Sequence, residues 1–347
     1  MKSSNAHASP ERGRRAARKP ERILLARTDR IGDLVLSTAA IASVRHSFAD
    51  AHITMVCSPY NRVVMDRNSD VDEVMEVPPD VPPQNAGRRY AGSCDLAIAL
   101  APRAIDLRLV AATRARTRVG YTYVRRYGMR LIARFYVNRL MISEADPWLG
   151  DRTPGRRVRH EVDQLLDLVV LAGAQQRVAD LRLDVRDEDR QAIAYLPSNP
   201  IVLHLGMRWF RGGSTPASTI MLVEQLRRFG IPLVVTYAPE CEAYIPQVAQ
   251  ARVADVVLGG LPFHRWAAVF ERAQVVVTVD TGATHVASAV RRPTVVLFEH
   301  DYFRLNSQEW SPYRVPSVLV RKPADESEQS LARMRESVVS GVAKLLP

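Results

Sequence analysis

The stretch VVVTVDTGATHVASA at 275–289 constrains the fold more than any other part of the sequence. Val275 to Val279 are apolar or β-branched, the composition of a buried strand. Asp280-Thr281-Gly282 breaks the run, and Ala283 to Ala289 resumes with helix formers. A strand that turns sharply into a helix N-terminus presents unpaired amides to whatever lies above the strand end. Gly282 allows an anion close to the backbone, Thr281 adds a hydroxyl, and Asp280 and His285 add groups able to hold hydroxyls or charge. The same three residues serve equally as a plain helix cap.

A second unit of the same design lies near the other end. Ile23 to Ala26 reads as a strand, residues 27–33 (RTDRIGD) as a turn, and Leu34 onward as a helix. Open α/β sheets bind ligands at the carboxyl ends of their strands. Asp33, following a glycine that permits a tight turn, therefore stands where chemistry usually happens, although alone it reads as a cap.

At 347 residues the chain exceeds what one core usually serves, so two domains are expected. No apolar run reaches the ~20 residues of a membrane span. Residues 1–22 hold seven Lys or Arg against two Glu and no apolar h-region, which predicts a disordered basic tail rather than a leader. Cys57, Cys94 and Cys241 are widely spaced without a CxxC pair and read as buried free thiols in a reducing cytoplasm. The net charge of +11 is concentrated: residues 103–159 carry fourteen Arg against four acidic residues. Such a segment on a balanced body points to an anionic partner, and arginine suits bidentate phosphate or carboxylate contacts.

Further strands are predicted at 51–57, 71–77 and 94–100, with an irregular proline-rich loop at 78–83. Residues 121–141 (YTYVRRYGMRLIARFYVNRLM) read either as a surface helix or loop touching an anionic membrane or acceptor, or as an ordinary half-buried helix. A helix at 158–172 precedes a charged connector at 177–190. A fresh series then places strands at 201–205, 232–236, 255–258, 275–279 and 294–298. Its helices fall at 217–229, 239–251, 262–272 and 283–290, and a last helix spans 326–346. Alternating strands and helices imply mostly parallel sheets covered on both faces: an α/β chain of two doubly wound domains facing a cleft.

Two motifs at opposite ends carry a specific resemblance. ILLARTDRIGDLVLSTAAIASVRHSFADAHITMVCS resembles the opening of the ADP-heptose:lipopolysaccharide heptosyltransferases, glycosyltransferase family 9, through its Gly-Asp pair, apolar helix and second strand. VVVTVDTGATHVASAVRRPTVVLF resembles that family's nucleotide-sugar motif. His160-Glu161 opening a helix and the strand Ile201 to Gly206 also fit, and the similarity runs from about residue 22 to about 325. It implies a GT-B fold of two Rossmann-like domains, with an acceptor domain at 23–185, a nucleotide-sugar domain at 186–325 and a terminal helix at 326–347. It further implies an inverting, metal-independent transfer from an ADP-sugar co-substrate, with no other cofactor. Asp33 takes the role of general base. Asp280, Thr281, Gly282 and His285 are expected at the donor, with Arg211 (or Arg208) replacing a diphosphate lysine and Glu242 (or Glu240) holding the ribose. Arg30, Arg103, Arg125 and Arg126 are expected at an anionic glycolipid acceptor. The expected protein is a cytoplasmic monomer, with peripheral contact at the inner face of the membrane.

The sequence departs from the family where Phe298 is followed by Glu299-His300-Asp301 and where residues 207–215 lack the Lys-x-Trp-Pro pattern, which bears on the donor sugar. Three adjacent polar residues rarely converge on one ion, so no metal is assigned there. A dinucleotide oxidoreductase would need G-x-G-x-x-G after the first strand, where only Gly32 stands. No nucleic-acid module is present.

Overall fold

A computed structural model describes residues 19–78, 80–145 and 158–347. Most of the basic tail and Arg152, Arg156 and Arg157 of the arginine-rich segment lie outside the described residues. The first half runs β1 (Arg22–Ala26), α1 (Ile31–Ser47), β2 (His52–Cys57), β3 (Glu73–Glu76), α2 (Pro83–Arg88), β4 (Leu96–Ala99) and α3 (Ala104–Ala112). It continues with β5 (Thr117–Tyr123), α4 (Tyr127–Tyr136), β6 (Arg139–Ser143), α5 (Glu161–Ala172) and the short connector helix α6 (Asp187–Ala192). The second half runs β7 (Ile201–Leu205), α7 (Pro216–Leu226), β8 (Leu233–Tyr237), α8 (Ile245–Gln250), β9 (Val256–Leu258) and α9 (Phe263–Arg272). It ends with β10 (Val275–Val279), α10 (Gly282–Ala289), β11 (Thr294–Phe298), α11 (Phe303–Glu309), β12 (Ser317–Arg321) and α12 (Glu328–Leu345).

Two six-stranded sheets result, ordered β3-β2-β1-β4-β5-β6 and β12-β11-β10-β7-β8-β9, with parallel pairing throughout. Each half repeats one topology, in which the first strand lies centrally and the fourth pairs on its other side. In such doubly wound sheets the crevice outside the strand ends, at the switch between first and fourth strands, is where ligands bind. Here those switches are β1/β4 and β7/β10. The architecture is the α/β, two-domain GT-B arrangement.

Residues 121–141 are not one helix. They hold the end of β5, all of α4 and the start of β6. Tyr121 and Tyr123 belong to the sheet and are buried, because alternate strand positions face the core whatever the charge around them. The proline-rich loop gives way to α2, for which Pro83 supplies a first-turn residue needing no N–H partner. The three cysteines are buried and unpaired. Among the described residues no helix is long and apolar enough to cross a membrane.

Candidate functional site

Both switch points carry an uncapped helix start. Arg30 precedes α1 and Thr281 precedes α10, and neither side chain bonds a first-turn amide. The plain-cap reading of Asp280-Thr281-Gly282 therefore fails. Thr281 turns its hydroxyl to the Val279 carbonyl at 3.3 Å, and Asp280 is held elsewhere. The two helix starts meet face to face. A Cβ built on Gly32 would lie 2.8 Å from the Gly282 Cα and 2.7 Å from the His285 Cδ2, so only glycine permits this approach.

On the first domain, Arg27 organises the turn after β1. Its guanidinium is 2% exposed and lies 3.0 Å from Asp29, 3.4 Å from Asp33 and 3.1 Å from Glu161. It also donates to the Ser37 hydroxyl and the Leu100 carbonyl. Tyr121 donates to the same Glu161 oxygen at 2.7 Å. Asp33 itself keeps 19% of its side chain accessible. Withdrawal from water pushes its carboxyl up to about 7, and nearby Asp29 and Glu161 add to the shift while Arg27 and Arg30 oppose it. Across the switch, Thr28 donates its amide and hydroxyl to the buried Asp106 of α3, tying the β1 and β4 loops together.

On the second domain, Asp280 is clamped. Arg208 Nη1, in the turn after β7, reaches its carboxylate at 2.6 Å and its carbonyl at 2.7 Å, and Asn306 Nδ2 donates at 2.8 Å. Burial raises the Asp280 carboxyl, and Arg208 and Asn306 pull it back. His285 is buried and held neutral, its pKa driven down to about 3 chiefly by desolvation. A Cβ built on Gly206 would lie 3.3 Å from the Thr281 Cγ2, so the turns after β7 and β10 run close together.

The predicted residues divide by place. Asp33, Arg30, Asp280, Thr281, Gly282 and His285 come together where the domains meet, and exposed Arg30 lies within electrostatic reach of both Asp33 and Asp280. Arg208 joins them through Asp280. Arg211 is exposed in the same loop, and Glu242 is exposed on the 3-10 turn after β8. Its alternative Glu240 lies close enough to Tyr60 of the first domain to help burial raise that phenol. Arg103 stands exposed before α3, near Asp106. Arg125 and Arg126 follow β5, with Arg126 4.9 Å over the Tyr123 ring.

Sequence reading missed Arg27, Glu161's ion pair, Glu309 and Lys322. Glu309 of α11 is buried and its carboxyl pushed well up by desolvation and by Glu161; Gln164 of α5 donates to it at 3.3 Å across the domains. Lys322 is 2% exposed and its ammonium meets the carbonyls of Arg208 and Arg211 and the Glu299 carboxylate. A lysine is a rare choice in a chain with only four, and that was the available signal. The same contact accounts for Glu299 after β11: it balances the lysine that braces the Arg208–Arg211 loop. Among the described residues no metal-binding group of His, Cys, Asp or Glu assembles.

Comparison with known proteins agrees with this fold. The model of glycosyltransferase family 9 (heptosyltransferase) matches residues 221–336. Lipopolysaccharide heptosyltransferase 3 of Escherichia coli is 29% identical over 140 residues, spanning 36% of this chain and only 41% of that relative. The glycosyl transferase family 9 structure from Veillonella parvula superposes with a TM-score of 0.73 at 18% identity, covering 94% of this chain and 97% of that one. The ADP-heptose heptosyltransferase II structure of E. coli gives 0.70 at 17% identity, covering 93% and 98%. A second E. coli heptosyltransferase, solved with ADP, gives 0.64 at 19%, covering 93% and 98%. Residues 221–336 of this chain are thus similar to glycosyltransferase family 9, and the chain as a whole has the two-domain GT-B fold of these structures.

Proposed function

We propose that the protein is an inverting, metal-independent glycosyltransferase that moves a heptose, or a related sugar, from an ADP-sugar to a hydroxyl of an anionic glycolipid such as lipopolysaccharide core. It works as a cytoplasmic monomer in peripheral contact with the inner face of the membrane. The observation that carries this reading is the meeting of Gly32-Asp33 with the uncapped start of α10. A carboxylate raised to about 7 stands next to the glycine that meets the uncapped start of α10, and an uncapped helix start is suited to an anion.

In this mechanism Asp33 accepts the proton of the acceptor hydroxyl as its oxygen attacks the anomeric carbon. The carbon–oxygen bond to ADP breaks on the opposite face, and the nucleotide leaves with the electron pair. Charge developing on the diphosphate is met by the first amides of α10, the Thr281 hydroxyl and the guanidinium groups of Arg208 and Arg211. Asp280 and His285 orient sugar and phosphate; neutral His285 can donate from one ring nitrogen without adding charge. Glu242 holds the ribose. Arg30, Arg103, Arg125 and Arg126 receive the anionic acceptor, and Arg30 is the one nearest both carboxylates.

The test is direct. Purified protein is incubated with ADP-heptose and heptose-deficient lipopolysaccharide, and ADP release and glycolipid mass are followed together. Stoichiometric ADP release with a glycolipid heavier by one heptose is expected. Turnover of a uridine-diphosphate sugar alone would overturn the donor assignment.

A further inference from the structure

Helix α4 packs Met129, Ala133 and Tyr136 against the first-domain core and turns a second apolar face outward. Ala133 is its one buried residue, whereas Phe135 is 84% and Leu131 63% exposed, with Tyr127 and Ile132 also open to solvent. Tyr127, Leu131 and Phe135 recur every four residues and so form one ridge along the helix. Of the ten large hydrophobic side chains exposed among the described residues, four fall within 127–135, so this is a patch and not ordinary scatter. Arg134 flanks the ridge, Arg125 and Arg126 precede it, and Arg130 beside it donates back to the Val124 carbonyl at 3.2 Å. No acidic residue occurs anywhere between Asp106 and Glu144, while nine arginines do.

We propose that α4 is a membrane-docking helix that lies in the plane of an anionic lipid surface. The ridge enters the acyl boundary and the arginines reach the headgroups. Long arginine stems can lie along apolar surface while their charge stays wet, which is the division this helix shows. A protein partner would need an acidic rim to match; a bilayer of anionic lipid supplies that charge everywhere. The place in the fold fits as well. α4 leaves from the carboxyl end of β5, the edge of the parallel sheet that also carries the Asp33 turn, and Tyr123 at that edge senses Asp33. Docking through α4 therefore holds the mouth of the cleft at headgroup level. That this serves transfer to a glycolipid rests on the proposed function; the docking itself rests on the helix surface alone.

Vesicle co-sedimentation of the full chain separates the two. The wild type is expected to bind phosphatidylcholine vesicles containing phosphatidylglycerol and to ignore pure phosphatidylcholine. The Leu131→Gln/Phe135→Gln variant should melt at the wild-type temperature yet bind roughly tenfold less. Transfer to a soluble, delipidated acceptor should be unchanged in it, so loss of docking and loss of activity are read separately. Absence of wild-type binding overturns the proposal. So does undiminished binding by the variant, which would hand the contact to the basic tail. Vesicle binding that follows this pattern in a protein inactive on ADP-heptose would sustain the docking and remove the ADP-heptose donor assignment.

Discussion

In the proposed transfer the chemistry turns on Asp33. A carboxylate at its ordinary pKa is a weak base; one raised to about 7 accepts a proton readily while remaining partly ionised at neutral pH. Asp33→Ala is expected to lower kcat by about 10²–10⁴-fold, the usual worth of a general base, while calorimetry shows ADP affinity nearly intact. Because the ionised form is the active one, kcat/KM of the wild type should climb as pH rises through about 7 and flatten above it. A profile already flat at pH 5 would place the base elsewhere. The glycine before Asp33 and the strand before that made this residue legible in the sequence. Its environment was not, because Arg27 meets Glu161 from 134 positions away and no local pattern announces such a pair.

At the scale of elements, the contact between the starts of α1 and α10 sets the geometry. The two glycines are not equivalent. A methyl on Gly32 collides with the Gly282 Cα and the His285 ring, whereas a methyl on Gly282 finds the Gly32 nitrogen at 3.3 Å. Gly32→Ala should therefore cost about 1–3 kcal/mol in thermal melts, as overpacking does, and raise KM for ADP-heptose; Gly282→Ala should cost less than that. Equal melts for the two variants would show that the helices do not meet this way. The strands lining this contact were readable: β7, β10 and β11 fall on the residues expected, since buried parallel strands are continuous apolar runs bounded by turns. β5 and β6 were hidden because arginines at their ends and in α4 mask the period-two pattern. β12 was hidden because an edge strand exposes much of its length and reads as loop.

At the scale of the whole molecule, one core cluster crosses between the two sheets, while each domain also keeps a cluster of its own. The main core cluster runs from Ile23, Leu34 and Ile41 of the first domain through the α1–α10 contact to Val286, Phe270 and Val202 of the second. Cross-domain polar contacts reinforce it: Gln164 to Glu309, His160 to the Ser311 carbonyl, Tyr313 to Asp163. A chain built this way should unfold in one cooperative step although its topology is duplicated, because each half loses the shared cluster when the other melts. Ligand at the second switch point should then stabilise the entire transition. ADP at 100 times its Kd adds about 2.7 kcal/mol, which for a chain of this size is a rise of roughly 4 °C. Asp280→Ala, which releases Arg208 and Asn306 from their shared anchor, should abolish most of that rise. Scanning calorimetry decides both points. Two resolved transitions with ADP moving only the second would show the cluster fails to couple the domains. An undiminished shift in Asp280→Ala would move the nucleotide away from α10.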